Sequence, residues 1–386
     1  MKRVLQFLSY VLVAALASCL TLTAVTITDT VDSQSKLDQL SGMIQERFIG
    51  ELDVTDMEDA AADAMVEAIG DRWSYYIPAD EYQAHVDRMN NSYVGVGITV
   101  KATEDETAYD VMEVTKGGPA EEAGVLAGDR IIAVDGASIA EIGTGEATNR
   151  IRGEAGTTVI LTLERGGQTL SLTVERRAIQ TVVATGQMLP GNVGLVTIEN
   201  FDERCGEETI AAVEALITDG AEALIFDVRN NPGGYKKELV EVLDYLLPEG
   251  PLFRSLDYRG EELVDQSDAD HIDLPMAVLV NGESYSAAEF FAAAIKEYEA
   301  GFIAGSQTCG KGYFQVTYRL NDGSAVGLSV GKYFTPNGIS LAEVGGITPD
   351  IVVEVDDETF SAIYAGTLDP TEDPQIVAAL NRMLGK

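Results

Sequence analysis

Val278-Leu279-Val280-Asn281-Gly282-Glu283-Ser284-Tyr285-Ser286-Ala287-Ala288-Glu289 is the stretch whose reading decides the fold. An apolar run breaks at Asn-Gly and restarts as an alanine-rich helical pattern, so the segment predicts strand, turn and helix, with Ser286 at the helix start. The same unit recurs around it. Strands are expected at Val193 to Ile198, Ala223 to Val228 and Met276 to Val280, with helices at Glu207 to Thr218, Lys237 to Leu247 and Ser286 to Tyr298. Alternation of this kind builds an α/β core around a largely parallel sheet. The strand ending in Asp227-Val228-Arg229-Asn230-Asn231-Pro232-Gly233-Gly234 and the strand before Ser286 deliver their loops to one sheet edge, where sites in such sheets lie.

Ser286 has a potential partner in Thr308-Cys309-Gly310-Lys311-Gly312-Tyr313-Phe314-Gln315. A serine hydroxyl is a weak nucleophile until a base takes its proton, and a lysine can serve if burial lowers its pKa. Histidine is scarce: only His85 and His271 occur, in polar and acidic stretches that suggest the surface, and neither sits in a Gly-x-Ser-x-Gly or His-Glu-x-x-His setting. The residues after Lys311 alternate like a strand, which would point Lys311 and Gln315 the same way.

A length of 386 residues allows two or three domains, and a hydrophobic fraction of 46% is ample for packed cores. The net charge of −37 disfavours nucleic acid as a partner, and scattered acids read as solubility. Lys2 and Arg3 precede an apolar, threonine-rich run from Val4 to Thr28, so residues 1–30 read as a signal-anchor or transmembrane segment with the rest of the chain exported. Leu16-Ala17-Ser18-Cys19 also resembles a lipobox, but the apolar run continues past Cys19, which favours an uncleaved anchor. Cys205 and Cys309 do not make a disulfide framework, and no metal-spaced cluster or P-loop appears. The expectation is no cofactor and no metal.

Residues 31–92 are helical in character, with Leu37, Leu40, Ile44 and Phe48 at helical spacing until Gly70-Asp71-Arg72-Trp73 breaks the pattern. This region is a candidate homodimer contact. From 93 to 178 short strands alternate with glycine turns. That stretch resembles a PDZ domain through Gly95-Val96-Gly97-Ile98, Gly118-Pro119-Ala120-Glu121-Glu122-Ala123-Gly124 and Gly128-Asp129-Arg130-Ile131-Ile132. Free amides at such a glycine turn can hold a peptide's terminal carboxylate while the peptide joins the sheet edge. Taken singly, each motif is an ordinary glycine-rich turn.

The PDZ-like segment, then Asp-x-Arg-Asn-Asn-Pro-Gly-Gly, Val-Asn-x-x-Ser-x-Ser-Ala-x-Glu and Gly-Lys-Gly-x-x-Gln, occur in an order that resembles the carboxy-terminal processing proteases, the tail-specific serine peptidases of family S41. The likeness runs from about residue 40 to the end and includes Gly346-Ile347-Thr348-Pro349-Asp350. The resemblance implies an α/β multidomain chain: the membrane segment, the helical region, a PDZ domain, and at 179–386 a peptidase core of the crotonase-like or ClpP-like type with a C-terminal helix. It places the nucleophile at Ser286, the base at Lys311, a supporting amide at Gln315, and oxyanion donors at Ala287 and at Gly233 or Gly234. It implies protein or peptide C-termini as substrates, and Arg152 as a residue coupling the PDZ region to the core. Tyr285, Ala288 and Cys309 depart from the family pattern. Structural readings stay open for each residue. Ser286 to Glu289 is also a capping box, Lys311 suits a solvated loop, and a non-catalytic PDZ scaffold on a protease-like fold is the alternative function.

Overall fold

The computed structural model of the chain describes residues 35–385, so the expected membrane segment over 1–30 and Cys19 lie outside the described residues. Among the described residues no helix is long and apolar enough to cross a membrane. The chain divides between Gly70 and Asp71 into two compact units. In the first, Lys36–Arg47 and Val54–Glu67 are helices, started by Ser35 and Asp53, whose side chains accept amide hydrogen bonds of the first turn.

The second unit opens differently from the helical expectation. Tyr75–Ile77 is a strand and only Tyr82–Met89 is a helix, because the strand pairs antiparallel with Ala325–Phe334, a partner some 250 residues away. Local periodicity cannot reveal so distant a partner. Ser92–Gly95 and Arg177–Gln180 then pair with each other, closing the two crossings into and out of the PDZ-like domain. Inside it, the sheet runs Ile98–Ala102, Tyr109–Val114, Arg130–Val134, Thr158–Arg165 and Gln168–Glu175, over a core that includes Val111, Ile131, Leu161 and Ile139. Ile98–Ala102 lies at one edge of that sheet and Gln168–Glu175 at the other.

The core sheet has six strands in the order Ala184–Leu189, Val193–Ile198, Ala223–Asp227, Met276–Val280, Gly301–Gly305, Ile351–Val352. The first pair is antiparallel and the others are parallel. Period-two alternation fills both faces. Leu224, Phe226, Val278 and Val280 meet the helices on one side, whereas Ile225, Ala277 and Leu279 meet Ile376, Ala379 and Leu380 on the other. A second, antiparallel sheet joins Tyr75–Ile77, Ala325–Phe334, Gly250–Asp257 and Glu262–Ser267, with Tyr313–Arg319 also on Ala325–Phe334. This sheet carries the lysine side of the cleft.

The C-terminal helix Pro374–Met383 is pinned by charge. Arg229, buried, donates to Asp227 through Nε at 2.8 Å and to Asp373 through Nη1 at 2.7 Å, while Asp373 also caps that helix. The two carboxylates hold the guanidinium pKa up despite burial, which alone would lower it.

Candidate active site

Ser286 sits between the strand Met276–Val280 and the helix Ala287–Glu297, at φ 57° and ψ −125°. That backbone region is sparsely populated for a residue with a Cβ, and holding it costs on the order of 1–3 kcal/mol. Hydrogen bonds between two loops hold it there. Asn281 Nδ2 donates to Asn230 Oδ1 at 2.8 Å, Ser284 Oγ donates to the Val228 carbonyl at 2.7 Å, and the Tyr285 amide donates to the Asn231 carbonyl at 3.2 Å. Thus the Asn, the first Ser and the Asn-Asn of the sequence motifs act as ties between the loops.

Gly233 explains why the glycine turn can lie so close. It has φ 89°, and a Cβ on it would fall 2.7 Å from the Ser286 Cβ and 2.9 Å from the Ala287 nitrogen. Gly234 is as tight, with a Cβ position 2.2 Å from the Phe201 carbonyl carbon. The Gly233 amide is already used by Asn231 Oδ1 at 2.8 Å. The amides of Ala287 and Gly234 have no partner among the described residues, so these two are the donors free to meet an oxyanion.

Glu289 is the residue whose role the sequence motif left hidden. It closes the capping box with Ser286 as the motif predicts, its own amide also bonds the Ser286 carbonyl at 2.9 Å, and its fully buried carboxylate reaches further as a hub. Oε1 accepts from Thr308 Oγ1 at 2.5 Å and from the Gly310 amide at 2.7 Å; Oε2 accepts from the Lys311 amide at 2.8 Å and the Ser286 amide at 3.1 Å. Burial pushes its pKa up, and these four donors oppose the shift.

Burial lowers the Lys311 pKa, against the charges of Cys309, Asp71 and Glu289. Its Nζ has no hydrogen bond among the described residues and lies 4.7 Å from the centroid of Trp73 and 5.7 Å from that of Tyr285. The two rings are themselves 5.9 Å apart. Trp73 comes from the turn after Gly70, where the helical spacing breaks. That turn is anchored by Asp71, which accepts from Ser74 Oγ at 2.7 Å, and by Ser74 Oγ, which accepts from the Ser329 amide at 3.1 Å.

Gln315 lines the same cleft but does not touch the lysine amine. Its Nε2 donates to Ser329 Oγ at 2.9 Å and to the Tyr313 carbonyl at 3.3 Å. The expected alternation from Lys311 to Gln315 fails for a local reason. The strand begins only at Tyr313, and a register shift falls between Phe314 and Gln315. The cleft, about 660 Å³, is bordered by Ser286, Lys311, Gln315, Gly233, Gly234 and, among others, Tyr82, His85 and Asp202. His85 is therefore not a simple surface residue: half-buried, it lies 5.9 Å from the Tyr75 ring, and burial lowers its pKa. His271 is exposed.

In the PDZ-like domain, the amides of Val96 and Gly97 have no partner among the described residues, and Gly97 has φ 78° just before the edge strand that starts at Ile98. Gly95, Val96 and Gly97 are buried at that corner. Arg152 is exposed; its amide caps the preceding helix by donating to the Thr148 carbonyl at 3.0 Å, and its side chain makes no hydrogen bond among the described residues. The buried arginine of this region is Arg176, which donates to the carbonyls of Arg150, Ile151 and Thr158 at 2.6, 3.0 and 2.7 Å. Among the described residues no cluster of His, Cys, Asp or Glu could hold a metal ion.

Comparison with known proteins fits this geometry. The sequence profile of peptidase family S41 matches residues 192–353, and that of the PDZ domain matches residues 111–165. The carboxy-terminal processing protease CtpA of Bacillus subtilis is 30% identical over 92% of this chain and 79% of its own length. A protein of Staphylococcus aureus named "Probable CtpA-like serine protease" is 29% identical over 83% of this chain and 64% of its own length. A candidate S41 protease solved from Bacteroides fragilis has the same fold, with a TM-score of 0.54 at 18% identity over 88% of this chain and 93% of its own. With a PDZ module, an α/β core and a strained serine that lines one cleft with a half-buried lysine, this chain belongs to peptidase family S41, the serine-type carboxy-terminal processing proteases.

Proposed function

We propose that the chain is an exported, membrane-anchored endopeptidase that takes the C-terminal tail of a protein into its PDZ groove and cuts a peptide bond with a Ser286–Lys311 dyad. The observation that carries this reading is the meeting of Ser286, Lys311, Gln315 and the Gly233-Gly234 turn on one cleft, from three separate parts of the chain. Burial favours the neutral amine that a base must be. In the reaction, neutral Lys311 leaves its place over the rings, accepts the Ser286 proton, and the Ser286 oxygen attacks the substrate carbonyl. Ala287 and Gly234 amides stabilise the developing oxyanion, each donor being worth roughly 3 kcal/mol. The lysine then returns the proton to the departing amine, and water, deprotonated by the same lysine, hydrolyses the acyl-enzyme.

Supporting the capture step, the open edge strand and the two free amides before it suit a terminal carboxylate and an added strand. Export and anchoring rest on Lys2, Arg3 and the apolar run that follows. The dimer reading rests on the exposed Leu37, Leu40 and Met43 of the first helix. The test is incubation with an unfolded protein bearing an apolar C-terminal tail, with fragments read by mass spectrometry. Cleavage is expected from the wild type and not from Ser286→Ala or Lys311→Ala; persistent cutting in either variant rejects the mechanism.

A further inference from the structure

Asp202 has no part in that chemistry, yet it stands on the wall of the same cleft. It is 8% exposed, and its Oδ1 is buried with no hydrogen-bond partner among the described residues. Its position relative to the reacting atoms is set by the main chain. Phe201 bridges to Gly234, and a Cβ on Gly234 would fall 2.6 Å from the Asp202 nitrogen, so the carboxylate hangs beside the oxyanion turn. The Asp202 amide bonds Asn200 Oδ1 at 2.9 Å and its carbonyl accepts from Cys205 at 3.1 Å, which leaves only the side chain unengaged.

No hydrogen bond or ion pair among the described residues neutralises it. Glu203 and Glu238 add negative charge, and Lys237 is committed to them at 2.8 and 3.3 Å. Lys236, on the same cleft, pairs with Asp265 at 2.8 Å. Arg88 is the cation whose field reaches Asp202, but it is exposed and forms no ion pair with it among the described residues. Half-buried His85 and Lys311 are the other bases bordering the cleft. The chain's other buried acids in this region are fully engaged: Glu289 by four donors, Asp227 and Asp373 by Arg229. A buried carboxylate without such partners is costly in the empty enzyme, and a bound cation would relieve the cost.

We propose that Asp202 is the floor of a cation subsite, which takes the ammonium or guanidinium of a lysine or arginine side chain of the peptide being cut. Tyr75, Tyr82, Val86 and Tyr235 supply apolar and aromatic wall for the methylene stem of such a side chain. The inference rests on the peptidase reading above and adds the class of residue that the cleft selects. Burial raises the Asp202 pKa to about 7, so the subsite is anionic, and selective, on the alkaline side.

The test uses the full chain carrying Ser286→Ala, which holds peptide without turnover. Peptides that differ only in lysine against norleucine, moved one position at a time along the segment, are titrated into it. At pH 8, at one position of the scan, the lysine peptide is expected to bind at least about tenfold more tightly, as a charge-assisted contact implies. That ratio should shrink at pH 5.5 and approach one when Asp202→Asn is added. A ratio unchanged by Asp202→Asn, or no preferred lysine at any position, overturns the subsite. A wild type that cuts none of the peptides while the binding preference persists strikes the peptidase reading and leaves the subsite standing.

Discussion

The main-chain amides of Ser286 and Lys311 donate to one and the same carboxylate oxygen of Glu289, at 3.1 and 2.8 Å. The candidate nucleophile and base come from a strand–helix turn and from the approach to another sheet, so a single buried side chain sets the distance between their backbones. The cost of burying that carboxylate is offset by four hydrogen bonds, two of them from the residues it positions.

Glu289→Gln keeps the shape but turns an acceptor oxygen into a donor that faces amide N–H groups. Losing or opposing such contacts is expected to lower kcat by about 10- to 100-fold, or ~1.4–2.8 kcal/mol, with a smaller effect on KM. Steady-state kinetics beside a thermal melt separate this from unfolding. Wild-type kcat in a folded variant would show that the shared oxygen has no bearing on catalysis.

The pH profile follows from Lys311. Its pKa is lowered by burial, so the neutral amine gains population as pH rises through that lowered value, and kcat/KM should rise with it. The Trp73 ring favours the ammonium form, so Trp73→Leu should move the midpoint of the rise downward by roughly half a unit to one unit, the equivalent of ~1 kcal/mol. An upward move would mean that the ring acts by excluding water.

Arg229→Met leaves Asp227 and Asp373 buried without their shared cation. The expected loss is about 3–5 kcal/mol of stability, read as a fall in Tm or in the denaturant midpoint. Hydrogen exchange should rise first in the helix Pro374–Met383, which Asp373 caps. A melt indistinguishable from wild type would mean that apolar packing alone holds that helix.

Asp202→Asn should stabilise the enzyme. The folded carboxyl is raised from an ordinary 3.8 to about 7, so its stabilising protonated form is complete below about pH 4, and stability is lost as pH climbs through the folded value. The variant should therefore exceed wild type in unfolding free energy by the most above pH 7, by up to about 4 kcal/mol, read as a higher Tm. A destabilised variant at pH 8 would show that the carboxylate is paired in solution.

Much of this molecule was legible from local pattern. The strands Val193–Ile198 and Met276–Val280 fall where predominantly apolar runs placed them, because buried parallel strands need apolar residues on both faces. Gly95 to Ile98 stood out because a corner with φ 78° at Gly97 requires glycine. The strand Tyr75–Ile77, the engagement of Gln315 by Ser329 and the place of His85 in the cleft were not legible. Each depends on a partner distant in sequence or on a register shift that reverses a strand's faces.

The sequence by itself determined most of the element types, Tyr75–Ile77 excepted, and the identity of the reactive groups, since hydrophobic period, turn chemistry and side-chain functionality are properties of neighbouring residues. Only the tertiary structure decided which groups meet: Glu289 under both Ser286 and Lys311, Trp73 and Tyr285 around the amine, Asp202 beside the Gly233-Gly234 turn. Those meetings are made by packing between segments far apart along the chain. Burial, which tunes the lysine and the aspartate in opposite chemical senses, exists only once that packing has formed.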